Sequence, residues 1–183
     1  DYDPVNRLST VTDANGNIKR FEYDQNGRMT RKVNGLGHDF TFSYDPNGNL
    51  TQTRDEEGAV QSFQYDRNQR RTRETDPLLH EKHFSYDPAG NLLRFTDPRG
   101  NSTNYSYDAQ NRLVQTVDAL AGSTGISYDP NGNVVRVTDQ LGRETAFSYD
   151  AGNNRTAVTN AEGNTARFAY DLLSELTSRT DFR

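Results

Sequence analysis

Aromatic and polar residues alternate in short bursts along this chain, and the bursts recur at a fixed distance. Tyr-Asp occurs at Tyr2, Tyr23, Tyr44, Tyr65, Tyr86, Tyr107, Tyr128, Tyr149 and Tyr170, every interval being 21 residues with no insertion or deletion. Two residues before the tyrosine stands a second aromatic or apolar residue: Phe21, Phe42, Phe63, Phe84, Tyr105, Ile126, Phe147 or Phe168. Side chains alternate across a strand, so each such pair shares one face and the residue between, Gln64 for example, points the other way. Six residues after the tyrosine comes an apolar slot, held by Leu8, Met29, Leu50, Leu92, Leu113, Val134 and Leu176 and broken by Arg71 and Arg155. No apolar period of 3.6 residues survives anywhere, and the pattern predicts strands throughout.

Turn signals divide the strands. Eleven residues after each tyrosine the chain is acidic at Asp13, Asp55, Asp76, Asp97, Asp118, Asp139 and Asp181, with Asn34 and Asn160 as substitutes. Glycine or asparagine follows the tyrosine at four residues (Gly27, Gly48, Gly90 and Gly132; Asn6, Asn111 and Asn153) and glycine recurs at fourteen, as in Gly16, Gly58 and Gly142. The resulting Asp-x-x-Gly tetrads, such as Asp45-Pro46-Asn47-Gly48, are turn sequences. Asp accepts backbone N–H bonds at the first position, proline fixes φ at the second, and glycine takes positive φ at the fourth. Each repeat is thus one β-hairpin, with strands predicted over about Asn49 to Arg54 and Val60 to Tyr65 in the repeat around Gly58. The first of these strands alternates less cleanly, because Arg31, Gln52 and Arg94 lie two residues beyond the apolar slot.

One hairpin cannot bury its own aromatic face, so neighbours must pair edge to edge in an antiparallel meander. Composition decides what that meander becomes. Only 31% of the 183 residues are hydrophobic, against ~45–50% in an ordinary compact domain. Two packed inner faces are therefore out of reach, while ten tyrosines and nine phenylalanines exclude a disordered chain. The expected fold is all-β: a long, curled, single-layer sheet of antiparallel hairpin repeats.

The consensus Gly-Arg/Asn-Leu-x-x-x-Thr-Asp-x-x-Gly-x-x-x-x-Phe-x-Tyr-Asp resembles the YD or RHS repeat. Gly27-Arg28-Met29 through Gly37 to Phe42-Ser43-Tyr44-Asp45 is one copy; Gly90-Asn91-Leu92 through Thr96-Asp97 and Gly100 to Tyr107-Asp108 is another. The resemblance covers essentially the whole chain. It implies the strip-like sheet of bacterial Rhs proteins, insecticidal toxin-complex B and C subunits, wall-associated proteins and teneurins. In those families the sheet spirals into a hollow β-shell, which in the bacterial toxins encloses a C-terminal toxic domain. Residues 1–183 then form a segment of about eight hairpins. The chain starts and stops within a repeat and has no counterpart of the family's shell-closing segment, so it is expected to be a fragment of a larger shell.

Other chemistry is thinly represented. With no cysteine there is no disulfide framework, thiolate metal site or thiol nucleophile. His38, His80 and His83 are the only histidines, and no regular acidic partner completes a zinc set around them. Asp-x-Asn-Gly-Asn at Asp13, Asp45 and Asp129 has oxygen ligands at alternate positions, yet lacks the sixth-position glycine and terminal Glu of a calcium loop. Equivalent aspartates in every copy argue for a structural duty rather than a catalytic pair. Asp and Glu outnumber Lys and Arg 26 to 21, which gives no general affinity for nucleic acid, and no run of ~18 apolar residues spans a membrane.

The expected function is non-enzymatic and cofactor-free. The chain would be a wall segment of an Rhs or toxin-complex-like shell that encapsulates a toxin domain for delivery, made in the cytoplasm of a bacterium and secreted or delivered at the cell surface. Its partners would be the polypeptide cargo and neighbouring shell repeats, with self-association through open sheet edges in the isolated piece. The alternative is an extracellular adhesion or ligand-binding module of a cell-surface protein. The residues expected to build the repeat are the nine ladder tyrosines; Phe21, Phe42, Phe63, Phe84, Phe147 and Phe168; Asp13, Asp55, Asp97 and Asp139; and Gly27, Gly48, Gly90 and Gly132.

Overall fold

The computed structural model describes residues 1–182; residue 183, the last of the expected repeat segment, lies outside the described residues. Seventeen strands run antiparallel in one open sheet, with no helix among the described residues. The chain divides into two compact units, Asp1–Phe84 and the remainder from Ser85.

The first unit opens with an isolated bridge between Tyr2 and Leu8. Strands β1 (Thr10–Thr12), β2 (Ile18–Tyr23), β3 (Met29–Val33) and β4 (Asp39–Tyr44) follow. Then come β5 (Leu50–Arg54), β6 (Val60–Tyr65), β7 (Arg71–Thr75) and β8 (Glu81–Tyr86), whose last two residues belong to the second unit. That unit holds β9 (Leu92–Thr96), β10 (Ser102–Tyr107), β11 (Leu113–Val117), β12 (Ser123–Tyr128) and β13 (Val134–Thr138). It ends with β14 (Glu144–Tyr149), β15 (Arg155–Thr159), β16 (Thr165–Tyr170) and β17 (Leu176–Thr180). Within each unit every strand pairs with its sequence neighbours, as β5 does with β4 and β6, or β13 with β12 and β14.

The two turns of a repeat are built alike. At Asp45 the Gly48 N–H donates to the Asp45 carbonyl at 3.0 Å and the Asp45 N–H to the Asn49 carbonyl at 2.9 Å. Gly48 closes the turn with φ +93°. Where the sequence offers no glycine or asparagine the same left-handed conformation persists: Gln69, Leu79 and Ala121 have φ of 63°, 66° and 64°. The repeat imposes the turn on residues that disfavour it, at ~1–2 kcal/mol each.

The Tyr-Asp hairpins carry a β-bulge that the periodicity alone does not reveal. Ser43 lies opposite Gln52 and Tyr44 opposite Leu50, leaving Thr51 as an extra residue. The same shift occurs beside Tyr23, Tyr65, Tyr107, Tyr128, Tyr149 and Tyr170. The extra residue is β-branched each time: Thr30, Thr51, Thr72, Val114, Val135, Thr156 or Thr177. The alternate hairpins, β3–β4 and β5–β6 among them, run without a shift. A bulge reverses the parity of the strand beyond it. Leu50 and Thr53, three residues apart, therefore both lie on the face of Phe42 and Tyr44, while Gln52 lies on the other.

Little of the sheet is buried. Among the described residues only Val33, Phe63, Ala157 and Ala166 are buried, and none of these is polar. Register places Phe63 and Ala166 on the aromatic face and Val33 and Ala157 on the opposite one. Neither face carries the continuous buried layer that a second sheet would create.

Candidate functional site: the tyrosine ladder

The ladder tyrosines reach across to the strand that precedes theirs. The Tyr44 hydroxyl donates to the Met29 carbonyl at 2.9 Å, and Tyr65 does the same to Leu50 at 2.9 Å. Tyr23, Tyr107, Tyr128 and Tyr149 bond Leu8, Leu92, Leu113 and Val134 at 2.9–3.1 Å. In each of these bonds the acceptor is the residue in the apolar slot. Its side chain packs beside one tyrosine while its carbonyl holds the next.

Arginine reaches forward from the same turn. Arg28 pairs with the Asp24 carboxylate at 2.6 Å, donates through Nη1 to the Asp45 carbonyl at 3.2 Å, and lies 4.7 Å above the Tyr44 ring. Arg7 and Arg112 repeat this arrangement over Tyr23 and Tyr128. A planar fork can meet a carboxylate and a carbonyl while its face covers a ring, which an ammonium cannot do. In other repeats the position is asparagine. Asn133 bonds its own Asp129 at 2.9 Å and the Asn153 side chain of the following turn at 2.7 Å.

The two arginines that break the apolar slot cover aromatic rings. Arg71 lies 4.6 Å over the Phe63 ring, and Arg155 lies 5.4 Å from Phe168 and 6.0 Å from Phe147. Their stems occupy the place of leucine and their cations sit on aromatic faces.

The aspartates are fully occupied by the turns. Asp13 Oδ1 accepts from the N–H groups of Asn15 and Asn17 at 2.8 and 2.9 Å, and Oδ2 from the Asn17 amide at 2.9 Å. Asp97 and Asp139 are bonded in the same way, with Arg143 as side-chain partner of Asp139. Asp55 accepts from the N–H groups of Glu57 and Ala59. Hydrogen bonds to the ionised form depress the carboxyl pKa. The Asn49 amide holds Asp45 below its ordinary value of 3.8, and the Arg28 backbone N–H does so for Asp24. The oxygens weighed above as calcium ligands at Asp13, Asp45 and Asp129 are engaged in these turns.

The opposite face is polar and paired across strands. Arg31 meets Asp39, Arg73 meets Glu81, and Arg136 meets Glu144, at 2.9–3.0 Å. Each histidine pairs with a different carboxylate: His38 with Glu56, His80 with Asp76, and His83 with Glu81, which it shares with Arg73. Among the described residues no group of three His, Asp or Glu side chains is placed to hold a metal. The depression lined by Asp39, Thr41, Arg54, Asp55 and Glu56 measures about 100 Å³, and the wider, shallow one lined by Asp150, Asn154, Tyr170 and Leu172 about 530 Å³.

A family profile described as RHS Repeat matches residues 2–39, 44–78, 86–123 and 128–165. The chain belongs to the RHS repeat family. Solved structures agree with that membership at the level of fold. The Tc holotoxin pore of Photorhabdus luminescens carrying a TccC3 mutation superposes with a TM-score of 0.60 at 16% identity, covering 94% of this chain and 13% of that one. The TcdB2-TccC3-Cdc42 and TcdB2-TccC3-TEV crystal structures give TM-scores of 0.56 and 0.55, each at 16% identity over 97% of this chain and 14% of theirs. This RHS-repeat chain thus spans about one seventh of the length of the structures it resembles. No curated protein sequence matches it.

Proposed function

We propose that this RHS-repeat chain is a non-catalytic wall segment of a β-shell that encloses a toxin domain for delivery outside the producing cell. The carrying observation is the near absence of a core: seventeen strands run side by side and only four described residues are buried. A sheet with so little to fill it covers space. The bulge repeated at the Tyr-Asp hairpins supplies the local bend that such a wall requires, since bulges increase twist and curve the bulged strand. The tyrosine and arginine links join successive Tyr-Asp turns across the open ends of hairpins such as β3–β4, so the wall is held together turn by turn. Membership of the RHS family and the fold shared with Tc toxin structures support the same reading. No described helix is long and apolar enough to cross a membrane.

The test uses the full-length protein that contains this segment. Limited proteolysis, followed by mass spectrometry of the surviving fragments, should leave a domain outside the repeats protected while the repeats are intact. It should become digestible once the sheet is opened by acid or denaturant. A domain cut equally fast with and without intact repeats would overturn the proposal.

A further inference from the structure

Five Asn-Gly pairs occur in the first and second units: Asn15-Gly16, Asn26-Gly27, Asn34-Gly35, Asn47-Gly48 and Asn131-Gly132. Four of them fill the third and fourth positions of a turn. There the glycine N–H is committed, Gly16, Gly27, Gly48 and Gly132 donating to the carbonyls of Asp13, Asp24, Asp45 and Asp129 at 3.0–3.1 Å. Asn34-Gly35 is displaced by two places. Asn34 takes the first position, held by aspartate in most repeats, so Gly35 falls second, where a type I turn leaves its N–H free. Among the described residues that N–H has no hydrogen-bond partner.

The surroundings of the Asn34 amide are those of an acyl-transfer site. Its Oδ1 accepts from the N–H groups of Leu36 and His38 at 2.9 and 3.0 Å, the reach of an oxyanion hole. Its Nδ2 lies 3.2 Å from His38 Nδ1 and 3.3 Å from Glu56 Oε2, and His38 and Glu56 are themselves paired. An imidazole beside the departing nitrogen can deliver its proton. Leu36 is 77% exposed at the turn tip, so water reaches the site.

We propose that Asn34 is a site of self-catalysed deamidation. The Gly35 nitrogen forms a bond to Asn34 Cγ and gives up its proton to solvent water. The Cγ–Nδ2 bond breaks and the nitrogen leaves as ammonia, protonated through His38, to give a cyclic succinimide. Water then adds to either carbonyl of that ring and the bond from that carbonyl carbon to the Gly35 nitrogen breaks, leaving an aspartyl or an isoaspartyl residue in place of the asparagine. The first product restores the acidic residue that seven of the nine repeats carry at this position. The second inserts a methylene into the turn backbone. Asn160 provides an internal contrast: it occupies the same turn position and accepts the Asn164 N–H at 2.9 Å, but Ala161 follows it and no imidazole stands by.

Incubation of the 183-residue chain at neutral pH, with peptide mapping over time, tests this. Asn34 should convert on the order of tenfold faster than Asn15, Asn26, Asn47 or Asn131. The same chain held unfolded in urea should lose that lead, all five sites then converting at similar rates. His38→Gln should slow Asn34 roughly tenfold and leave the other four unchanged. Equal or slower conversion at Asn34 in the folded wild-type chain would overturn the proposal, whether or not the variant folds. A lead that survives His38→Gln would overturn the role of the imidazole.

Discussion

The Tyr44 hydroxyl donates to the carbonyl of Met29, fifteen residues back on the neighbouring strand, at 2.9 Å. The bond fastens the open end of the β3–β4 hairpin, beyond the last paired residues Arg31 and Thr41, so its loss loosens the seam between those two strands. Tyr44→Phe should destabilise the chain by ~1 kcal/mol, the net worth of a neutral hydrogen bond. Urea denaturation would register this as a lower midpoint, and an unshifted midpoint would show that the hydroxyl contributes nothing at the seam.

Arg28 spans the same seam from the other side. Its stem, fork and ring contact are replaced only in part by Arg28→Lys, which keeps charge and loses the planar fork. The lysine variant should lose ~1 kcal/mol or more. Stability equal to wild type would reduce the arginine to a surface charge.

Turn conformation gives a pair of opposite changes. Gly48→Val should cost ~1–2 kcal/mol, since φ +93° is forbidden to a β-branched residue and the added Cβ otherwise meets only Arg28 Nη1 at 3.5 Å. Leu79→Gly should stabilise by ~1 kcal/mol, because Leu79 holds φ 66° with its side chain 80% exposed. Thermal melts of the two variants should move in opposite directions. A melt of Leu79→Gly below wild type would mean the exposed leucine makes contacts the turn needs.

Acid should unfold the sheet cooperatively. The folded pKa values of Asp3, Asp24, Asp45, Asp66, Asp87, Asp108, Asp129 and Asp150 are all depressed below 3.8 by turn hydrogen bonds. A depressed carboxyl contributes stability that is fully present above the unfolded value and lost as pH falls through the folded one. Circular dichroism should therefore show constant stability from neutrality to about pH 5 and progressive loss below about pH 4. A chain equally stable at pH 2 would remove these carboxylates from the account.

Among the described residues strand β17 is laddered to β16 on one side only, and it is exposed at all five residues. Such edges template further pairing. Sedimentation velocity of the chain should show association that grows with concentration, and Thr177→Pro, which sits in that edge strand, should weaken it. A strict monomer across the range would mean that the edge is protected.

Much of this architecture can be read directly from residue spacing. Tyrosine every 21 residues and Asp-x-x-Gly twice per copy yield the hairpins, and strands predicted near Asn49 to Arg54 and Val60 to Tyr65 are observed as Leu50–Arg54 and Val60–Tyr65. The bulge is hidden because a strict two-residue period fails in a strand that gains a residue. Its trace lies in Gln52 standing two places beyond Leu50, with the β-branched Thr51 between them. Left-handed Gln69, Leu79 and Ala121 are equally hidden, because residue type there argues against the conformation that neighbouring turns enforce. The seam itself, from Tyr44 to Met29 and from Arg28 to Asp45, joins groups whose proximity only strand pairing creates.

Each Tyr-Asp turn reaches back toward the preceding one through its tyrosine and forward to the next through its arginine or asparagine. Copies are therefore interchangeable modules. Excising residues 45–65, one full period from turn to turn, should let Tyr44 run into Asp66 with both junctions chemically familiar. A ribbon assembled this way can change its length by duplication or loss without redesigning any of the pieces that remain.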